Sequence, residues 1–474
     1  MACDKGFSCS YMLLEPKDVG FFDLIHILFS NNLERRRFVD SSEETEDDFE
    51  RRWLIFLSIV VQKVLQFVAK PMATIGWGIE MCLNLISSNQ SLVGLILDFL
   101  RGEVIIPEKD SRMFLSFIGH LDKRVELDKS IKHGDGRYNA ALSMMASKIS
   151  YENRFYIRTT VQENWKLTEI IIVLADYQEK DTTQAFMLRD RSDDHDTIVV
   201  AFRGTEPFDA DAWCSDFDIS WYQLEGVGRV HGGFMKALGL QKNVGWPKPE
   251  GVKQDDSRPA LAYYAIRDML KKLLLENAKA KFILTGHSLG GALAILFPAV
   301  LTFHKGKDSD LLLERLEGVY TFGQPRVGDK DFGQYMEKKM IEHKIKYFRF
   351  VYGNDMVPRL PYDDKALMFK HFGTCLYYNR QYEVQVVLEE PNKNYFSPKG
   401  VIPMTVNAFG ELIRSFTIPN RFGPDYKEGP LFKMFRLMGL VMPGAAAHCP
   451  QDYVNATRLG SSHVFVPPKR YLCN

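Results

Sequence analysis

From Trp53 the chain runs WLIFLSIVVQKVLQFVAK, its most apolar stretch. At 100° per residue, Ser58, Gln62, Gln66 and Lys70, spaced by four, fall with Lys63 on one stripe, while Leu, Ile, Val and Phe cover the rest. The pattern predicts a helix with a wide apolar face that ends or kinks at Pro71. Two more apolar stretches, MATIGWGIEMCLNLI and LVGLILDFL, follow before Arg101, so residues 53–100 read as a hairpin-like hydrophobic block. The first run is shorter than the roughly 20 apolar residues of a clean bilayer span, and Lys63 interrupts it. Lying in a lipid interface fits this pattern better than crossing a bilayer; packing as core helices is the other arrangement it allows.

From about Arg137 the periodicity changes. The runs IIIVLADYQ, TIVVAFRGT, KFILTGHS, GVYTFGQP and KYFRFVYGND read as strands, and RPALAYYAIRDMLKKLLLENAKA and GGALAILFPAVLTFH between them read as helices. Strands alternating with helices predict an α/β fold with a mainly parallel sheet. The stretch from Glu389 to Lys433, rich in Pro, Gly and Asn, reads as loops or an insertion. Three parts follow: a polar segment 1–50, a membrane- or lipid-droplet-associating block 51–105, and the α/β domain 106–474.

Sixty basic and sixty acidic residues cancel, which removes the electrostatic reason to expect nucleic acid as a partner and points to a neutral or apolar ligand. Seven cysteines without a CxxC pair form neither a disulfide framework nor a zinc pattern, so a reducing compartment is expected. The N-terminal residues lack the basic and apolar regions of a secretory signal, which points to the cytosol.

Gly286-His287-Ser288-Leu289-Gly290 follows an apolar strand and precedes a helix expected from Gly291. Strand, tight turn and helix are the setting of a nucleophile elbow, with Ser288 raised above the sheet and a helix N-terminus behind it. A serine hydroxyl needs a neutral His to take its proton, and that His needs a carboxylate to fix its tautomer. In this fold the order along the chain is Ser, acid, His. Asp355 stands where the strand KYFRFVYGND gives way to a loop; Asp363 and Asp364 are the weaker competitors. Of the later histidines, His371 lies too close behind Asp355 for another strand and loop to intervene. That leaves His448 and His463, and the loop placement of His448, after GLVMPGAAA, favours it as the base. Two N–H donors must hold the oxyanion: Leu289, next to the nucleophile, and Thr205, at the end of TIVVAFRGT.

Five ordered motifs carry a resemblance. Phe202-Arg203-Gly204-Thr205, Val230-His231-Gly232-Gly233-Phe234, Gly286 to Ala292, Thr321 to Gly328 and Asn354 to Pro361 together resemble the class 3, fungal-lipase-like triacylglycerol lipases. The hydrophobic block and the CPQDY segment are similar to the plant oil-body lipases among them. The resemblance implies an α/β-hydrolase fold and hydrolysis of acylglycerols at an oil–water interface, on the cytosol-facing surface of a lipid droplet. It also implies Ser288, Asp355 and His448 as triad, with Thr205 and Leu289 as oxyanion hole. In fungal members an aromatic pair follows the His, where this chain has Cys449 and Pro450. Fungal members also carry a lid helix, and EPFDADAWCSDFDISWYQ, with Trp213, Phe217 and Trp221, is amphipathic at the corresponding place.

The same triad cuts any acyl ester, so a phospholipase A1 or galactolipase is the alternative enzyme, and a catalytically silent lipid-droplet scaffold the alternative of another class. The histidines are too dispersed for metal-site spacings, and no cofactor is expected. With the α/β domain starting near Arg137, deletion to about Gly102 is expected to spare cleavage of a soluble ester.

Overall fold

The computed structural model describes residues 8–29, 38–41, 49–175, 183–239, 262–304, 306–361, 363, 368–393, 395 and 398–465. Its central sheet has eight strands: β1 (Thr168–Ala175), β2 (Thr183–Arg191), β3 (Asp196–Phe202), β4 (Lys281–His287), β5 (Leu316–Phe322), β6 (Lys346–Tyr352), β7 (Thr374–Tyr378) and β8 (Val384–Val387). Their order across the sheet is their order along the chain. The run β3 to β7 is parallel, and antiparallel strands complete both edges. This is the α/β arrangement that the alternation of strands and helices predicts, with β2, β7 and β8 added to it.

The helices that matter for the site are α1 (Phe49–Ser88), α2 (Leu92–Arg101), α3 (Ala210–Phe217), α4 (Leu289–Phe303), α5 (Pro398–Phe422), α6 (Pro430–Val441) and α7 (Pro450–Leu459). In a sheet of sequential order, right-handed crossovers put the connecting helices on one face. On that face Ile198, Val200, Phe202, Phe282 and Leu284 meet Leu293 and Phe297 of α4. Their alternates, Val199, Ala201, Ile283, Tyr320 and Phe350, face the other way. That second face is covered from outside the parallel run, by helix Tyr138–Ile149 and by α7. Each buried Leu, Ile or Phe contributes about 1.5–3 kcal/mol, so the sheet with both faces covered is the stable centre of the molecule.

A second, antiparallel sheet flanks it, in the order Phe369–Lys370, Gly328–Asp329, Gly228–His231, Trp221–Leu224, Ser8–Leu14, Val39–Ser41. Within the N-terminal segment, Ser8–Leu14 is therefore part of the folded body, since it pairs with Trp221–Leu224.

Two expectations change. Pro71 does not end its helix: α1 carries the chain through it to Ser88. Pro71 and Phe67, whose carbonyl loses its helical partner, lie on the exposed side, where no neighbour resists the ring. Body contacts before and after hold the two halves: the Ser58 hydroxyl donates to the Phe217 carbonyl at 2.7 Å, and Asn84 bonds both the N–H and the carbonyl of Leu115. The second change is that residues 398–422, read as loops, form the helix α5 despite Pro403 and Pro419. Buried ion pairs from Glu411 and Arg414 to neighbouring elements outweigh its composition.

Candidate active site

Strand β4 delivers the chain into a turn at Ser288, whose backbone sits at φ 59°, ψ −131°, and α4 starts directly after it at Leu289 rather than at Gly291. A non-glycine residue in that region costs about 1–3 kcal/mol, so the surroundings must hold it. They do so through the Ser288 N–H, which donates to the Phe322 carbonyl of β5 at 2.9 Å, and through Gly291 N–H, which donates to the Ser288 carbonyl at 2.9 Å. The side chain then projects beyond the C-terminal ends of the parallel strands, beside the first N–H groups of α4.

His448 lies in the short turn Ala446–His448 that follows α6. Its Nε2 is 2.9 Å from Ser288 Oγ, and its Nδ1 is 2.9 Å from both oxygens of Asp355, three residues past the end of β6. Asp355 is fully buried; Val357 N–H donates to its Oδ1 at 2.9 Å and the Tyr453 hydroxyl of α7 donates to its Oδ2. A carboxylate so supplied stays an acceptor, which fixes the proton of His448 on Nδ1 and leaves Nε2 free to accept from Ser288. Gly323, at φ 58°, passes this group closely: a Cβ there would stand 2.8 Å from Asp355 Oδ2 and 3.0 Å from His448 Nδ1.

Three further residues complete the arrangement, and none of them stands out in the sequence. His287 is buried; its Nε2 donates to the main-chain carbonyl of His448 at 2.7 Å, and its Nδ1 accepts from the Tyr151 hydroxyl at 2.8 Å. Burial, with His448 beside it, holds its pKa well below the ordinary imidazole value, so it is a neutral strut under the His448 loop. Tyr453, five residues after His448 on α7, donates its hydroxyl to Asp355 Oδ2. Asp216, inside the amphipathic stretch, accepts a 2.7 Å bond from the Thr205 hydroxyl. Burial pushes its carboxyl up to about 7, against the opposing pull of the Thr205 bond and of His448.

Thr205 and Leu289 lie on either side of Ser288 in the fold, at the end of β3 and the start of α4, and both are buried. The helix α3 is the lid-like stretch. It packs against α1, where besides the Ser58 bond Cys214 Sγ is 3.7 Å from the Gln62 carbonyl, and it reaches the site through the Asp216–Thr205 bond. The competitors lie elsewhere. Asp363 pairs with Lys393 at 2.6 Å. His371 is buried with Nε2 2.7 Å from the Pro358 carbonyl, and burial beside Arg349 and Arg326 keeps it neutral. His463 is exposed beyond α7, and Asp364 lies outside the described residues.

The sequence pattern of the family described as lipase (class 3) matches residues 199–365. Triacylglycerol lipase OBL1 of Nicotiana tabacum is 42% identical over 485 residues, which is 87% of this chain and 84% of the relative. Triacylglycerol lipase OBL1 of Arabidopsis thaliana is 39% identical over 503 residues, 96% of each chain. The solved structure of Rhizomucor miehei triacylglyceride lipase is 25% identical and superimposes with a TM-score of 0.39, covering 55% of this chain and 86% of that one.

Proposed function

Since the chain belongs to the class 3 lipase family, we propose that it hydrolyses triacylglycerols, and the di- and monoacylglycerols formed from them, at the surface of a lipid droplet facing the cytosol. The observation that carries the reading is the line Asp355–His448–Ser288, with every link at 2.9 Å, at the elbow between β4 and α4.

Ser288 Oγ attacks the ester carbonyl as its proton passes to His448 Nε2. Asp355 stabilises the imidazolium that results, and the N–H groups of Leu289 and Thr205 hold the oxyanion. His448 then gives the proton to the departing glycerol oxygen, leaving an acyl-serine. Water, deprotonated by the same Nε2, attacks this ester; fatty acid leaves and Ser288 Oγ regains its proton. The arrangement needs α3 to withdraw, because Ser288 is only 6% exposed.

Placement on lipid is supported by α1. It is long and apolar enough to cross a membrane. Yet Ser58, Gln62 and Asn84 are buried along its length, and Ser58 and Asn84 bond the body directly; a helix threaded through a bilayer would lose those bonds. With Ser58, Gln62 and Asn84 turned inward, Phe67, Ile75 and Trp77 face outward beside the exposed Gln66 and Lys70, which suits a helix lying in the interface between lipid and water. Purified protein offered tri-, di- and monoacylglycerols, phospholipid and galactolipid, with Ser288→Ala as control, tests the proposal. Fatty acid release fastest from acylglycerols is expected; preference for phospholipid or galactolipid would overturn the substrate assignment.

A further inference from the structure

Helices α5 and α6 each turn an apolar face outward and bury charged or polar side chains. Along α5 the exposed positions include Ile402, Val406, Phe409, Ile413 and Phe416, spaced by four or three and so on one face, while Glu411 and Ser415 are buried opposite. On α6, Met434, Leu437, Met438 and Val441 are exposed and Arg436 is buried. The inner charges pair with one another. Arg436 bonds Glu428 at 2.6 Å, Asp452 at 3.0 Å and Glu411 at 3.1 Å, and Arg414 bonds Asp452 at 2.9 Å. Nothing within the described residues covers the outer face, and an apolar patch spread over two helices marks an interaction surface.

Three observations select lipid as the occupant. First, Phe432 of α6 shares a core cluster with Ile118 of the short helix Phe117–Leu121, and Phe117 N–H donates to Glu80 of α1 at 2.8 Å, so the hairpin and the outward-facing α1 brace one shared element. Second, a cation borders the stripe as one does where side chains reach up to headgroups: Lys433 Nζ lies 4.2 Å over the Phe416 ring. Third, α6 leads straight to His448. Gly444 between them, at φ 94°, approaches the Asn354 carbonyl so closely that a Cβ would stand 2.1 Å from it. Asp452 of the ion network precedes Tyr453, which bonds Asp355.

We propose that the α5–α6 hairpin is a second lipid-seating surface, which presses its apolar face into the phospholipid coat of the droplet alongside α1 and holds the His448 loop at the oil from which the ester comes. This rests on the reading of the chain as a lipase working at a lipid surface. The test uses the full chain in three forms: Phe409→Gln with Ile413→Gln and Phe416→Gln on α5, Leu437→Gln with Val441→Gln on α6, and Phe67→Gln with Trp77→Gln on α1. Each is floated with triolein droplets coated in phosphatidylcholine, while turnover of a soluble short-chain ester reports an intact site. Both hairpin variants are expected to bind droplets at least about tenfold more weakly. If both float like the parent and only the α1 variant is released, the hairpin proposal falls and the lipid-surface reading stands. If the parent does not float, the lipid-surface reading itself falls. A parent that dimerises, with hairpin variants monomeric yet floating normally, makes the face a subunit contact and also overturns the proposal. Independently of how the variants fold, benzoylphenylalanine at position 416 should crosslink to phospholipid on droplets; crosslinks to protein alone would contradict it.

Discussion

The central sheet and the helices α1, α5 and α6 use the same residue types in opposite senses. In β3 and β4 both faces are apolar and both are covered, so Val199 and Val200 point in opposite directions and are equally buried. In the three helices polar side chains are buried, Ser58 and Gln62 on α1, Glu411 on α5 and Arg436 on α6, beside a few apolar ones such as Ile59, Ile418 and Phe432, while a row of aromatic and aliphatic side chains stays outside. Periodicity gives the two faces of an element in both regions. Which face meets the protein is set by what lies beside it, and here the polar face finds hydrogen-bonding partners that a sheet interior would not offer.

The largest effects are expected where the covered region carries the chemistry. Ser288→Ala should cut ester turnover by about ten-thousandfold or more with thermal stability and droplet binding unchanged. His448→Ala should do comparable damage and the double variant no more, because the three groups act as a unit. A Ser288→Ala enzyme retaining more than about a tenth of the parent rate would remove Ser288 from the mechanism. His371→Ala should spare the rate of the folded enzyme and lower its melting temperature, since His371 is buried and bonded to Pro358.

Deleting residues up to about Gly102 sharpens the comparison next. The fold revises the expectation that cleavage of a soluble ester survives. Deletion removes the strand paired with Trp221–Leu224 and the helix that bonds Phe217 of the lid-like α3. Soluble-ester activity and a cooperative melt should both be lost, whereas Phe67→Gln with Trp77→Gln keeps both. A truncated protein with parental soluble-ester kinetics would show that α1 does not support the site.

Within the hairpin, the reversal of inside and outside predicts which substitutions hurt. Arg436→Met takes the ion-pair partner from buried Glu411 and leaves Glu428 and Asp452 to Arg414 alone, and should cost about 3–5 kcal/mol in urea unfolding. Phe409→Gln on the exposed face should stay within about 0.5 kcal/mol of the parent. The opposite ranking would mean that the apolar face is the covered one.

How much was legible in the sequence follows the range of the interactions. Ser288 is announced locally, by glycines, a strand and a helix within a few residues. Asp355 and His448 were reached by chain order and strand ends, and the fold brings both to Ser288. Asp216, Tyr453 and the strut His287 were out of reach, because each acts through a partner from 11 to 161 residues away. The helix α5 was hidden by Pro403 and Pro419; what holds it is a charge network closed by Asp452, which no local pattern displays. That the helix does not end at Pro71 has a related reason, since the cost of a helical proline depends on what flanks it in space.

The smallest expected effect lies at the boundary of the two regions, on α3, which α1 covers from one side and the Ser288 site from the other. Asp216 has its carboxyl raised from 3.8 to about 7, chiefly by burial. The unfolded chain releases this proton near pH 3.8, and the folded protein keeps it until about 7. Between those values the folded state binds more protons, so its stability declines as pH rises through the window and the loss persists above it. Asp216→Asn keeps an oxygen to accept from Thr205 and cannot ionise. Its melting temperature should therefore gain on the parent's steadily from about pH 4 to 7 and hold a constant lead beyond. A difference between the two proteins that does not vary with pH would mean that Asp216 ionises freely and that α3 does not seal it from water.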